Sequence, residues 1–217
     1  MHSRFVCLAN SYKEGGRCVA GILLDKSNCP ILKDGHPKWI RPTCTTEHGE
    51  IPTDLVAHIP LLTVLEIEVW KFVGEGHQSE NALFNEDSIR EMEMFPISKL
   101  DTLCDHSKLQ IFGNKGKAVA EEHIDRLDHS LMFVQATEFE AIEKINEYKP
   151  GTTQIRLTFS YRNIQYEFTV TDPQFLQAYR NNHHYLEDAN KLYLTLSLAI
   201  KWQNWYHKLI AGVIPAQ

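Results

Sequence analysis

Phe5-Val-Cys-Leu-Ala-Asn-Ser-Tyr-Lys-Glu-Gly-Gly-Arg-Cys-Val-Ala-Gly-Ile-Leu-Leu24 is the stretch whose reading decides the fold. Two apolar runs of strand length, Phe5–Ala9 and Cys18–Leu24, flank a polar segment, Asn10–Arg17. Gly15 and Gly16 supply the backbone freedom of a tight turn. Asn10, Ser11, Lys13 and Arg17 add side-chain donors to the glycine amides, a set suited to an anion or a nucleobase edge. The segment is not a Walker phosphate loop, which needs Gly-x-x-x-x-Gly-Lys-Ser/Thr leading into a helix, because here a strand follows. A solvated hairpin without a ligand is the plain alternative.

Outward from this hairpin, Trp39-Ile-Arg-Pro42 predicts a short strand and Leu61–Val73 a long one. Leu131–Val134 predicts another. Gln154–Tyr161 and Gln165–Val170 predict a hairpin about Arg162-Asn163, with the alternation of a half-buried sheet. Leu192–Leu198 and His207–Ile214 predict the last two strands. Helices are expected in four places. Asn85, followed by Glu86 and Asp87, predicts a helix to Met94, stopped by Pro96. Val119, His123 and Leu127 predict one over Ala118–Asp128. Thr137-x-x-Glu140 matches a capping box for a helix over Glu138–Glu147, with a strand as the open alternative. Asp172-Pro173 starts a helix to about Arg180. Strands, then small helices, then strands again predict two antiparallel β units bracketing a helical insert.

The bulk numbers narrow the function classes. A chain of 217 residues with 43 % hydrophobic and 23 % charged residues builds a folded core. No stretch approaches the ~20 apolar residues of a membrane span, and Met1-His-Ser-Arg-Phe5 has no apolar region of a signal peptide. A cytoplasmic location is expected. The five cysteines, Cys7, Cys18, Cys29, Cys44 and Cys104, are odd in number and include no C-x-x-C pair, so free thiols are expected rather than disulfides or zinc. His183-His184 is an adjacent pair whose rings diverge, and neither a metal nor a cofactor is expected. The net charge of −6 argues against broad electrostatic binding of nucleic acid, so any such role needs a local basic patch.

Four groups of residues carry candidate chemistry. Trp39 beside Arg41 can stack a base and pair a phosphate, or be a core tryptophan with a structural ion pair. His77-Gln-Ser-Glu-Asn81 gathers groups able to read a base edge, with His77 and Glu80 as a conceivable base and acid, or it is an ordinary loop. Cys18 lies near Lys13 and Arg17, cations that favour a thiolate, although a cysteine at a strand start usually packs. Trp202, Trp205, Tyr206 and His207, with Lys208, form an aromatic cluster, read either as a stacking platform or as packing.

Leu8-Ala-Asn-Ser-Tyr-Lys-Glu-Gly-Gly-Arg-Cys-Val-Ala-Gly21 resembles the opening of bacterial proteins described as dual OB domain-containing. Trp39–Pro42, Gly49-Glu50, His77–Asn81, Leu127–Val134, Val170–Pro173, Leu196–Leu198 and His207–Ile214 follow in that family's order, while Asp25–Lys38 is longer than its pattern. The resemblance implies a mainly β chain with α insertions. Two OB-like antiparallel barrels, residues 1–74 and 129–217, would be joined by a helical segment, 75–128. It also implies nucleic-acid or nucleotide binding, and it carries over no catalytic residue. The expected ligand site combines Asn10, Ser11, Lys13 and Arg17 with Trp39, Arg41, His77, Gln78 and Asn81. The expected partner is a nucleotide or short single-stranded nucleic acid, with no membrane. Two other readings stay open: an enzyme acting on a nucleotide or modified base through Cys18, His77 and Glu80, and a scaffold for a protein partner.

Overall fold

The computed structural model describes residues 1–146 and 149–217. The first half of the chain supplies β1 (His2–Lys13), β2 (Gly16–Leu24), the two-residue ribbon β3 (Leu32–Lys33) and β4 (His36–Pro37), β5 (Trp39–Thr43), β6 (Thr63–Phe72) and β7 (Asn81–Met94). A single turn, α1 (Thr53–Val56), precedes β6. Strands β1-β2-β5-β7-β6 close a barrel. Its one parallel contact is β5 with β7.

The second half supplies β8 (Ala118–Ala120), the turn α2 (Glu121–Ile124), β9 (Leu131–Ile145), β10 (Thr153–Tyr161), β11 (Ile164–Val170), helix α3 (Pro173–Asn181), β12 (Lys191–Leu198) and β13 (Trp205–Ala216). The sheet order is β11-β10-β9-β12-β13, and a parallel contact of β11 with β13 completes the circuit. β8 lies outside that circuit, against β13. Counting only barrel strands, both units follow one circuit: first, second, third, fifth, fourth and back to first, with the parallel pair between third and fifth.

The unbroken apolar runs of β1 and β2 reflect burial on both faces. Phe5, Cys7, Val19 and Leu23 fill the first barrel. Val6, Leu8, Ile22 and Leu24 point the other way and pack on Phe133, Tyr193 and Ile214 of the second. The barrels are therefore fused along an apolar seam. Backbones approach closely there: a Cβ on Gly212 would stand 2.1 Å from the Leu8 carbonyl oxygen. That carbonyl accepts from Thr195 Oγ1 at 2.5 Å, and the Tyr12 amide donates to the Thr171 carbonyl at 3.1 Å.

Several expectations are met, among them the Arg162-Asn163 hairpin and the Asp172 cap, whose carboxylate accepts from the Gln174 and Phe175 amides. Others are corrected. Residues 85–94 are not helical but form most of β7, with Glu68 opposite Asn85 and Glu66 opposite Arg90. The Asn85 side chain does accept an amide two residues on, from Asp87 at 3.2 Å. That cap-like bond sits at a register shift in the strand, where Ser88 Oγ also accepts from the Glu68 amide.

The boundary expected at residue 74 consequently falls inside the first barrel, which runs to Met94. The joining segment holds short 3-10 turns at Ile97–Leu103 and Ile111–Gly113 and the β8–α2 unit rather than longer helices. Of the helix expected over Ala118–Asp128, only Glu121–Ile124 is helical. The capping-box reading of Thr137 and Glu140 gives way to the strand alternative. β9 continues to Ile145, with a bulge where Glu138 takes φ 49°; Glu147 lies outside the described residues.

Candidate functional site

Asn10–Arg17 is a strand pair rather than a loose loop. Glu14 (φ 39°) and Gly15 (φ 86°) form a two-residue turn between Lys13 and its partner Gly16. Two left-handed residues in succession match the twist of the flanking strands, and Gly15 takes its place without strain. Asn10, expected to meet a ligand, is buried, and its Nδ2 donates to the Val56 and Ile59 carbonyls at 2.7 and 3.0 Å. Arg17 is buried too. Its guanidinium lies 4.7 Å from the centre of the Tyr12 ring and donates to the Asn10 carbonyl. Both residues brace the hairpin.

Ser11, Tyr12, Lys13 and Cys18 of this hairpin open on a cleft of about 170 Å³ between the barrels. Arg41 and Gln78 line it from the first barrel, and Thr171, Ser197 to Ile200, Leu209 and Ala211 from the second. Tyr12 is 59 % exposed at its rim. The cleft thus gathers Ser11, Lys13, Arg41 and Gln78 of the expected site, which are separated by up to 67 positions in sequence.

Arg41 is held in a buried network. Its Nη2 lies 3.1 Å from Glu80 Oε1 and 2.8 Å from Ser130 Oγ, and its Nη1 donates to Asn81 Oδ1 at 3.3 Å. Ser130, just ahead of β9, donates to the same Glu80 oxygen. Asn81 Nδ2 donates to Gln78 Oε1 at 3.3 Å. Arg41 Nε and Glu80 Oε2 have no protein partner. The structural ion-pair reading of Arg41 therefore holds, and the residue lines the cleft with its charge already paired.

Trp39 lies apart from this cleft. It packs on the seam between the barrels and lines a second cleft with Ser79, Glu80 and the β3–β4 ribbon. His77 meets the Tyr206 ring edge-on, with centroids 5.0 Å apart. Burial lowers its pKa, against a raising pull from Glu80, and so favours the uncharged imidazole. Among the described residues no hydrogen bond joins Cys18, His77 and Glu80. Burial pushes the thiols of Cys7, Cys44 and Cys104 up to about 12, and all five cysteines are free. The described residues hold no group of three or more His, Cys, Asp or Glu able to bind a metal. None of their helices is long and apolar enough to cross a membrane.

Ser130, Thr171 and Ser197 are not among the expected site residues. Each lies in a segment that follows the family's order, Leu127–Val134, Val170–Pro173 and Leu196–Leu198, but only the second barrel's packing brings these hydroxyls to this region.

Two five-stranded Greek-key barrels of this size define the class as an OB-fold protein. The chain belongs to the dual OB-containing domain family, whose model matches residues 3–213. No curated protein matches it. A solved structure described as "Molecular basis for abrogation of activation of pro-inflammatory cytokines" aligns over 98 % of this chain and 93 % of its own at 14 % identity and a TM-score of 0.36, a level that carries no argument.

Proposed function

We propose that the protein binds a nucleotide or a short single-stranded nucleic acid in the cleft between its barrels. One observation carries the reading. OB folds take ligands with the loop between their first and second strands and the loop between their fourth and fifth. In the first barrel these are the Lys13–Gly16 turn and the Val73–Glu80 segment, and Lys13 and Gln78 from them face one cleft. Tyr12 offers a ring for a base, Lys13 a cation for a phosphate, and Ser11 and Gln78 hydrogen-bonding groups. The outer face of β2 and β5, the other surface an OB fold uses, is buried here under the second barrel through Ala20, Ile22 and Trp39. Binding by the first barrel is thereby directed to its loops.

The test is fluorescence anisotropy with labelled mononucleotides and short DNA and RNA strands at two salt concentrations. Binding that weakens with salt and with Lys13→Ala supports the reading. No binding of any of these probes by the unmodified protein overturns it.

A further inference from the structure

The second barrel keeps exposed the face that the first has covered. Gln154 and Arg156 of β10 and Glu167 and Thr169 of β11 alternate with the core residues Ile155, Leu157, Phe168 and Val170. They floor a cavity of about 540 Å³ walled by Lys117 and Trp202. Leu209 of β13 lines both this cavity and the cleft between the barrels, so the two adjoin.

The cavity is basic in a chain whose net charge is −6. Glu167 accepts from Lys144 at 2.8 Å, Arg156 at 2.9 Å and Lys117 at 3.4 Å. Lys117 and Arg156 line the cavity beside Glu167 and leave an excess of one positive charge among the three, while Lys144 pairs Glu167 from outside the lining. Glu121, the acid facing the nearby Lys201, is paired to it at 2.7 Å. The Lys144 hydrogen bond, with Arg156 and Lys117, holds the Glu167 carboxyl down at about 2, so it keeps the cations in place across the neutral range.

An aromatic platform stands beside these cations. Gln203 (φ 45°) and Asn204 (φ 67°) form a tight turn, across which the Trp202 and Trp205 backbones exchange hydrogen bonds of 2.9 Å. Trp202 is thereby fixed at the lip of the cavity, 47 % exposed. A ring held by a tight turn beside excess positive charge suits an alternation of bases and phosphates.

We infer that a single strand of nucleic acid continues from the inter-barrel cleft past Leu209 into this cavity, stacking a base on Trp202 and placing phosphate near Lys117 and Arg156. This rests on the binding proposed for the cleft, and it makes the ligand a strand of several nucleotides rather than a free nucleotide.

The test compares labelled oligothymidylates of about 4 and about 16 nucleotides, the range of site sizes known for OB folds. The longer strand is expected to bind at least tenfold more tightly. Trp202→Ala is expected to weaken it by about fivefold or more, the loss of one stacked base. Lys117→Ala, at an exposed position, is expected to lower its salt slope by about one. Neither substitution changes binding of the short strand, whereas Lys13→Ala weakens both. Equal affinity for both lengths, or a longer strand indifferent to Trp202→Ala and Lys117→Ala, overturns the inference and leaves cleft binding intact. Failure of both strands and of mononucleotides overturns the two together.

Discussion

Arg41 of the first barrel and Ser130 at the entry to the second meet at 2.8 Å, with the Glu80 carboxylate bound to both. Among the described residues this is the one buried ion pair of the inter-barrel region, with Arg41 4 % and Glu80 2 % exposed at the side chain. A buried pair adds little over a well-packed apolar substitute, but removing one partner strands the other charge. Arg41→Ala is therefore expected to cost about 3–5 kcal/mol of stability. Ser130→Ala, which removes an acceptor from Arg41 and a donor to Glu80 but strands no unpaired charge, should cost less, about 1.5–3 kcal/mol. Urea denaturation of both variants checks this, and equal small losses would show that removing Arg41 leaves no costly unpaired charge on Glu80.

Gly212 gives a second prediction about the seam. Its missing Cβ is what lets β13 lie against the Leu8 carbonyl, at 2.1 Å from where a side chain would begin. Backbone cannot yield as the tip of a side chain does. Gly212→Ala should destabilise the fold by about 1–3 kcal/mol, as overpacking does. Thermal unfolding reads the effect, and a melting temperature equal to that of the unmodified chain would argue against so close a contact.

Asp172 ties α3 to the second barrel. Its Oδ1 accepts from the Gln174 and Phe175 amides, and its Oδ2 from the Val213 amide at 3.0 Å. Asp172→Ala removes a helix cap and leaves a buried strand amide without its acceptor. The expected loss is about 2–3 kcal/mol, more than a cap alone gives. Hydrogen exchange at the Val213 amide should accelerate in the variant, an effect that loss of the cap by itself would not produce.

Glu167 predicts a pH dependence. Its folded pKa is lowered from 4.5 to about 2, first by the Lys144 hydrogen bond. Its contribution to stability is thus present above pH 4.5 and is lost as the pH falls through that window toward 2. Glu167→Gln should lower stability at pH 7 and flatten its decline between those values. With the carboxylate partly solvated, the difference should be on the order of 1 kcal/mol. Parallel urea curves at pH 7 and pH 3 distinguish the outcomes: an unchanged difference between the two proteins would exclude this coupling.

Reading along the chain captured elements that chemistry determines locally. The β1–β2 hairpin, the Arg162-Asn163 turn and the Asp172-Pro173 helix start depend on left-handed turn residues, apolar runs and a cap, all encoded within a few positions. The same local logic misled at Asn85 and Thr137. Both belong to long strands whose pairing with β6 and β10 outweighs a capping signal, and both lie at bulges where a side chain has reason to bond its own backbone.

The polar hairpin shows the same division in the candidate site. Its residue types marked it as a place for a ligand, and Ser11 and Lys13 do face a cleft. Asn10 and Arg17, equally polar in sequence, are turned to bracing α1 and Tyr12, because successive strand residues point to opposite faces. The sequence by itself determined that β1 and β2 pair, where they turn, and which helix start is capped, since each rests on neighbours in the chain. Only the tertiary structure decided what covers the second face of β1 and β2, that Arg41 is spent on Glu80 and Ser130, and that cleft and cavity adjoin at Leu209. Those facts depend on how one barrel packs against the other, and contacts between residues a hundred positions apart leave no local trace.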